Sequence, residues 1–454
     1  MKREIMKDLV SWKNKKNRKP LLLTGVRQCG KTYILRKFAE EHFDSYVYVN
    51  LERDPQIADV FNYDYDVKRI LRDISNLSLL PAIIPGKTLL IIDEIQINPK
   101  AITSLKYFAE DMPKLCVVGA GSLLGVSIRE EGASFPVGKV DRLEMHPMSF
   151  KEFLLESDSR KIVNSIENYE MTKPLPVYIL ENLNREYVNY LLVGGMPEAV
   201  KIWFESHNLS KVNEIQDNII LGYENDFSRH SPQNELTNLE LIWRSIPEQL
   251  AKDNNKFVFS RVKKSTRAKD LEKSIGWLID AGLIHVVTKV DNPQVPLSFY
   301  RDSSFYKIYL CDVGLLSRMA GFTLKSLLEK DESTGGFRGS LTENFVNNEL
   351  VLLGYKTYFW RSGNSAELDF LIEDDGRVIP LEVKANVNTK AKSYNVFVKR
   401  YESEVGFKFS LNNIGENIEG STKTYSLPLF LVYRVKDYLK NTKFDKSMLL
   451  KKQK

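Results

Sequence analysis

The chain has 454 residues, 43% of them hydrophobic and 27% charged, with a formal net charge of +6. This is an ordinary globular composition, long enough for roughly two to four domains with their own cores. Three dispersed cysteines exclude a disulfide framework and a cysteine zinc site and fit a reducing compartment. No apolar run approaches the roughly 18 residues of a membrane span, and the N-terminal MKREIMKDLVSWKNKK has no apolar signal core, so a cytoplasmic protein with no membrane partner is expected.

The first 150 residues alternate short β-rich runs with helical patterns. PLLLTG (20–25) reads as a strand and KTYILRKFAEEH as the helix after it. SYVYVNLE (45–52), KTLLIIDE (87–94) and KLCVVGAGS (114–122) read as further strands, with ITSLKYFAEDM a helix between the last two. Near-continuous apolar runs ending in polar residues indicate a buried parallel sheet with helices on its faces. From about 151 to 250 the pattern is mostly helical, as in SFKEFLLES and LELIWRSIPEQLAK. In RAKDLEKSIGWLIDAGLIHVVTKV, Leu271, Ile275, Leu278 and Ile279 form a helical stripe, Gly282 offers a stop and a β-run follows. A helix, a tight glycine turn and a strand pair suit a winged-helix unit. KDESTGGFRGS (330–340) reads as a linker. Beyond it, a helix LTENFVNNELVLLG and strands near 356–361, 367–373 and 378–384 suggest an α+β domain. The predicted division is 1–155 for a phosphate-loop domain, 156–235 for a helical lid-like region, 236–330 for the winged-helix-like unit and 331–454 for the α+β domain.

Two constellations carry chemistry. The first is GVRQCGKT, a full match to G-x-x-x-x-G-K-[ST] between a strand and a helix. Its glycines let backbone N–H groups turn inward around phosphate oxygens, and the helix dipole adds to this. The candidate nucleotide-binding segment is Gly25, Val26, Arg27, Gln28, Cys29, Gly30, Lys31, Thr32 and Tyr33. Lys31 would reach the β- and γ-phosphates of ATP, and Thr32 would ligate Mg²⁺. TLLIIDEIQ (88–96) delivers Asp93 and Glu94 to the C-terminal end of a strand, the edge where open parallel sheets bind ligands. Asp93 would hold Mg²⁺ through water, and Glu94 would polarise the attacking water. Ser122, after another strand, is a candidate γ-phosphate sensor. Arg142 is read as a surface arginine.

The second constellation is AELDFLIEDDGRVIPLEVKA (366–385). Asp369 lies in one β-run, Glu382 and Lys384 in the next, and alternation puts Glu382 and Lys384 on one face with Val383 opposite. Glu343, on the upstream helix, can project to the same place. Carboxylates with a lysine are what metal-assisted phosphodiester hydrolysis needs: oxygens hold Mg²⁺ or Mn²⁺, the metal lowers the pKa of its water, and the lysine orients the nucleophile. Glu343, Asp369 and Glu382 are the candidate metal ligands here, and Lys384 the catalytic lysine. Between the two constellations, Arg261, Lys263, Lys264, Arg267 and Lys269 cluster near the start of the stripe helix and make DNA a candidate partner. The basic KNKKNRK near the N-terminus and KSMLLKKQK at the C-terminus read as solvated ends. LVGGMPEAV (192–200) reads as a turn between helices, and Trp243, Trp277 and Trp360 as core residues.

The first 150 residues resemble an AAA+ ATPase of the additional-strand, catalytic-glutamate class. The segments LTGVRQCGKTYIL, LIIDEIQ, GAGSLL, GKVDRLEMHPMSFKEF, YLLVGGMPEAV, KIYLCDVGLL, GSLTENFVNNEL and ELDFLI…IPLEVKA resemble the bacterial and archaeal AAA family ATPases with a C-terminal domain of unknown function. That resemblance implies ATP binding, a sheet in the order 5-1-4-3-2 and oligomers of the chain in which a neighbour supplies an arginine. GAGS stands where the family carries a more polar sensor segment. The order E…D-x₁₂-E-x-K resembles the PD-(D/E)XK, restriction-endonuclease-like nuclease fold, with ELD in place of P-D.

Overall fold

The computed structural model of the protein describes residues 1–78, 82–122, 124–129, 136–252, 256–264, 267–328, 332–363, 366–387 and 391–442. The basic C-terminal run 446–454 lies outside them.

Two sheets organise the chain. The first contains β1 (Leu21–Thr24), β2 (Ser45–Asn50), β3 (Thr88–Asp93), β4 (Cys116–Ala120) and β5 (Asp141–Glu144), in the order β2-β3-β4-β1-β5. Every neighbouring pair is parallel. This is the expected 5-1-4-3-2 order seen from its other edge. The central strands are apolar along their length because helices cover both faces: Leu21, Leu22, Leu23, Leu89, Leu90, Ile91, Ile92 and Val118 are fully buried. The parallel register brings Asn50 opposite Asp93 and lays Thr24 beside Glu144, so the carboxyl ends of the strands share one edge.

The second sheet has eight strands: β6 (Ile284–Val290), β7 (Arg301–Leu310), β8 (Tyr358–Ser362), β9 (Ala366–Asp374), β10 (Arg377–Val383), β11 (Val405–Ser410), β12 (Gly415–Glu419) and β13 (Thr422–Pro428). Its order is β12-β13-β11-β10-β9-β8-β6-β7. The β9–β10 hairpin turns at Asp375–Gly376, both with positive φ, as the sequence DDGR suggests. The β6–β7 hairpin follows the helix Ala268–Asp280 through Gly282 (φ +73°), the tight turn expected there.

Three differences from the sequence reading have physical causes. First, β6 pairs in parallel with β8, so the strand pair of the 236–330 unit continues the sheet of the 331–454 region. An apolar hairpin edge is best covered by another strand, and β8 supplies it. Second, 332–340 is helix, part of a single element Glu332–Leu352, whereas 330–331 lie outside the described residues. The Gly-Ser composition suggested a linker, but the burial of Phe337, Leu341 and Phe345 overrides local propensity. Third, the stripe helix buries Leu271, Ser274, Ile275, Trp277 and Leu278, while Ile279 is 43% exposed near the helix end. Trp243, Trp277 and Trp360 are buried, as expected.

LVGGMPEAV acquires a packing role. Gly194 (φ +71°) ends the helix Val177–Val193, and a side chain there would sit 2.2 Å from Asp312 Oδ1. Asp312 accepts from Gly195 N–H at 2.6 Å and, as N-cap of the helix Val313–Met319, from Leu315 N–H at 2.9 Å. Gly195 O accepts from Met148 N–H at 2.6 Å. The glycine pair thus lets the segment after β5, the helical region and the CDVGLL helix meet at backbone distance. The Asp312 carboxyl is pushed up to about 6 by burial, against those backbone donors.

Candidate functional site

At the first site, β1 runs into the phosphate loop, and the helix Lys31–His42 starts on Gly30 (φ +97°). Gly25 also has positive φ, and a side chain there would meet Met145 O at 2.1 Å. Lys31 is buried, and its ammonium donates to Gly25 O at 2.8 Å and Val26 O at 2.9 Å. Thr32 Oγ1 donates to Asp93 Oδ2 at 2.7 Å, and Tyr48 OH donates to the same oxygen at 2.8 Å. Asp93 is 2% exposed at the end of β3. Glu94, next along, has φ +51°, which swings its side chain off the strand line, and its Oε2 accepts from Gln96 Nε2 at 2.6 Å. Burial raises the Glu94 carboxyl, Gln96 opposes that, and the Asp93 charge adds to the rise. Cys29 is buried and Tyr33 half exposed. Ser122 follows β4 by two residues and is half-buried, and Arg142 is exposed on the edge strand β5.

The fold therefore gathers Lys31, Thr32, Asp93 and Glu94 as the spacing predicts. It adds partners that spacing cannot show. Tyr48, from β2, holds Asp93. The Arg27 guanidinium pairs with the largely buried Asp226, and Tyr223 OH donates to Arg27 O at 3.0 Å. Both partners lie on the helix Leu209–His230, so the phosphate loop is fastened to the helical region. A side chain at Gly282 would meet Val26 at 3.2 Å, which places the β6 turn against the same loop.

The second site is an acidic cluster on one face of the large sheet. The β9–β10 register brings Leu381 opposite Phe370, and Asp369 Oδ2 accepts from Val383 N–H at 2.7 Å. Glu382 is 3% exposed: its Oε1 pairs with Lys384 Nζ at 2.6 Å, and its Oε2 is buried without a hydrogen-bond partner. Burial raises Asp369 well above the usual carboxylate range, and repulsion from Glu382 and Glu343 adds to it. Burial also raises Glu382, against the pull of Lys384. Burial works to lower Lys384, but Asp369 and Glu382 outweigh it and raise it.

Glu343, expected as a third metal ligand, stands close enough to Asp369 and Glu382 to add to the repulsion at both, but it is also engaged by other side chains. Its Oε2 accepts from Tyr309 OH at 2.5 Å and from Lys307 Nζ at 3.2 Å. Lys307, 1% exposed, also pairs with Glu367 Oε1 at 2.8 Å. In the sheet order β6 and β8 separate β7 from β9, and Lys307 reaches Glu367 with its ammonium 5.1 Å from the centre of the Phe359 ring on β8. Among the described residues, no group of three or more His, Cys, Asp or Glu side chains is placed to hold a metal ion. Lys307, Tyr309 and Glu367 were missed in the sequence, although two of them open KIYLCDVGLL. The available signal was a lysine and a tyrosine alternating with Ile308 and Leu310 at the buried end of the strand.

Arg261, Lys263, Lys264, Arg267 and Lys269 are all exposed around the start of the helix Ala268–Asp280, with residues 265–266 outside the described set. No helix among the described residues is long and apolar enough to cross a membrane.

Three segments of the chain match known protein families. Residues 17–154 match an AAA domain family, 184–326 a domain of unknown function (DUF8612) and 338–430 a second domain of unknown function (DUF4143). The chain is 23% identical over 413 residues to an uncharacterized protein, MJ1544, of Methanocaldococcus jannaschii, covering 88% of this chain and 83% of that one. It is 36% identical over 80 residues to an uncharacterized protein, Rv2008c, of Mycobacterium tuberculosis, covering 17% of each. Among solved structures, the Walker-type ATPase PABY2304 of Pyrococcus abyssi superposes with a TM-score of 0.42 at 15% identity, over 70% of this chain and 95% of that one. The Thermotoga maritima RuvB Holliday junction branch migration motor superposes with a TM-score of 0.30 at 17% identity, over 65% and 91%. The domain match, the strand order and the phosphate loop agree: residues 17–154 are similar to AAA domains, and their parallel sheet and loop have the arrangement of a P-loop nucleotide-binding fold.

Proposed function

We propose that the protein hydrolyses ATP to drive DNA handling, with a metal-dependent phosphodiester-hydrolysing site in its C-terminal region. The observation that carries the ATPase half is the 2.7 Å contact of Thr32 with Asp93 beside a raised Glu94 carboxyl. Phosphate oxygens would settle on the loop N–H groups and the start of the helix Lys31–His42. Lys31 would exchange its two carbonyl acceptors for the β- and γ-phosphates. Thr32 and Asp93 would hold the Mg²⁺ that accompanies the nucleotide and offsets the phosphate charge. Glu94, once released from Gln96, would orient and deprotonate the attacking water. Ser122 is the proposed γ-phosphate sensor.

The fastening of Arg27 to Asp226 and of the loop carbonyl to Tyr223 supports coupling, because any movement of the loop on nucleotide binding pulls on the helical region. The exposed basic residues before Ala268–Asp280 supply a phosphate-contacting face. At the C-terminal site, Asp369 and Glu382 fit a divalent cation. The buried Glu382 oxygen without a donor and the adjacent carboxylate are the chemistry such an ion satisfies. Lys384 would orient the nucleophile.

Phosphate release by wild-type protein and Glu94→Gln tests the ATPase half, with an expected drop in turnover of about 100-fold or more. The cleavage half is tested by incubation with Mg²⁺ or Mn²⁺ and single- and double-stranded DNA and RNA. Absence of cleavage, or cleavage undiminished in Asp369→Ala, removes it. A second reading, a nucleotide-controlled DNA-binding switch that does not cleave, is favoured by Lys307 sitting inside the acidic cluster, where it neutralises carboxylates without a metal. Gel shifts with and without ATP separate the two: binding without cleavage selects the switch.

A further inference from the structure

The acidic cluster divides into two halves that differ in how their charge is met. In one half Glu343 and Glu367 share Lys307 at 3.2 and 2.8 Å, Tyr309 OH donates to Glu343 at 2.5 Å, and Arg361 stands 4.0 Å from the outer Glu367 oxygen. Two carboxylates there face two cations and a hydroxyl donor. In the other half, among the described residues, Asp369 and Glu382 have one directly paired ammonium, that of Lys384, with Lys307 and Lys408 acting on them only from farther off, and the buried Glu382 Oε2 has no donor. Lys408, the next cation along the sheet, is taken by Glu419.

We propose that Lys307 and Tyr309 are positioning residues of the C-terminal site, and that by holding Glu343 and Glu367 they make it a one-ion site on Asp369 and Glu382. The inference rests on the metal reading of that site and sharpens it. A carboxylate bridged by an ammonium and a phenol is not available to a cation, because its lone pairs on that side are used and its charge is offset. A lysine inside the cluster occupies the position that a second cation would otherwise take, and it requires no ion from solution. Two carboxylates and water are enough for Mg²⁺ or Mn²⁺, which commonly keep several waters. The consequence for the fold is that the site is incomplete without β7, a strand from the DUF8612 segment, because the DUF4143 segment alone lacks Lys307 and Tyr309.

Mn²⁺ binding to the full-length, nucleotide-free protein tests this, read by the free-ion paramagnetic resonance signal. The wild type is compared with the double variant Asp369→Asn/Glu382→Gln. One Mn²⁺ per chain is expected to disappear in the double variant. Glu343→Gln is expected to keep that ion with its Kd changed by less than about threefold, whereas loss of a true ligand weakens binding by about tenfold or more. Lys307→Met is expected to take up a second Mn²⁺, which adding Glu343→Gln abolishes. Loss of two ions in the double variant, or a tenfold weakening by Glu343→Gln, overturns the inference and leaves the metal reading standing. No difference between wild type and double variant overturns both. Should Lys307→Met not fold, the Glu343→Gln comparison alone decides.

Discussion

The two acidic sites differ in where their positive charge is kept. At the ATPase site the carboxylates Asp93 and Glu94 are held by neutral donors, Thr32, Tyr48 and Gln96, while Lys31 rests on backbone carbonyls. Its cation is uncommitted to a carboxylate and available to a ligand. At the C-terminal site the lysines already lie on carboxylates, Lys307 on Glu343 and Glu367, and Lys384 on Glu382. An arrangement of the first kind waits for an anion that brings its own metal. An arrangement of the second kind is largely self-compensated, and its unmet demand is confined to one oxygen of Glu382 and its neighbour Asp369.

The sharpest way to break this comparison is to remove each lysine and ask what fails. Lys31→Ala should reduce ATP turnover by about 100-fold or more, since a phosphate-stabilising cation contributes several kcal/mol to the transition state. It should lower the melting temperature of the nucleotide-free protein less than Lys307→Met does, because the partners it leaves are two backbone carbonyls rather than two buried carboxylates. Wild-type-like phosphate release from Lys31→Ala would end the assignment.

Lys307→Met should behave in the opposite way. Removing one partner of a buried, shared ion pair leaves uncompensated carboxylates and costs about 3–5 kcal/mol, while ATP turnover per folded molecule stays near the wild-type value. Chemical denaturation followed by circular dichroism measures the loss. Lys384→Met, at a side chain 34% exposed, should destabilise less than Lys307→Met. Equal losses would mean that the two lysines are not distinguished by burial.

How far each site was legible follows from the distance its interactions span. The phosphate loop, Asp93 and Glu94 are local patterns at strand ends, and a parallel sheet converts strand ends into a shared edge, so the sequence sufficed. Hairpin alternation likewise placed Asp369 beside Glu382. Arg27–Asp226 joins residues 199 apart, and Lys307–Glu343 joins a strand to a helix across 36 residues. No periodicity encodes such contacts. The helix at 332–340 was hidden for a different reason: two serines, a threonine and three glycines give poor helix propensity, and the buried Phe337 and Leu341 on the same helix hold it in place.

A third buried charge, between the two sites, provides a pH test. Glu349 is fully buried on the helix Glu332–Leu352, and its Oε1 accepts from Phe150 N–H at 2.8 Å, where the ATPase side meets the C-terminal region. Burial pushes its carboxyl up to about 7, with Glu152 and Glu4 adding repulsion. A carboxyl whose folded pKa exceeds its unfolded value binds more protons when folded. Its contribution to stability is therefore present at low pH and is lost as pH rises from about 4.5 toward 7. Glu349→Gln keeps the acceptor for Phe150 and removes the titration. The variant should be more stable than wild type at pH 8, by an amount on the order of 2–3 kcal/mol, and the gap should close toward pH 5. A gap independent of pH would show that Glu349 does not titrate in this range.

The smallest effect is expected at Tyr48, and it tests whether the neutral donors of the ATPase site matter. Asp93 Oδ2 accepts from both Thr32 and Tyr48, at 2.7 and 2.8 Å. The Arg36 guanidinium lies 4.1 Å from the Tyr48 ring centroid and fixes the ring. Burial raises the phenol, so it remains a donor at neutral pH. With Thr32 turned to a metal ion, Tyr48 is the side-chain donor that still orients Asp93, beside the Glu94 N–H on its other oxygen. Tyr48→Phe removes one hydrogen bond worth about 1 kcal/mol, which corresponds to a rise of about fivefold in the Mg²⁺ concentration giving half-maximal ATP turnover. Turnover at saturating Mg²⁺ should change by less than about twofold, because Glu94 and Lys31 are untouched. A Mg²⁺ dependence identical to wild type would reduce Tyr48 to packing, and a fall in turnover that Mg²⁺ cannot restore would place it in the chemistry rather than in the orientation of Asp93.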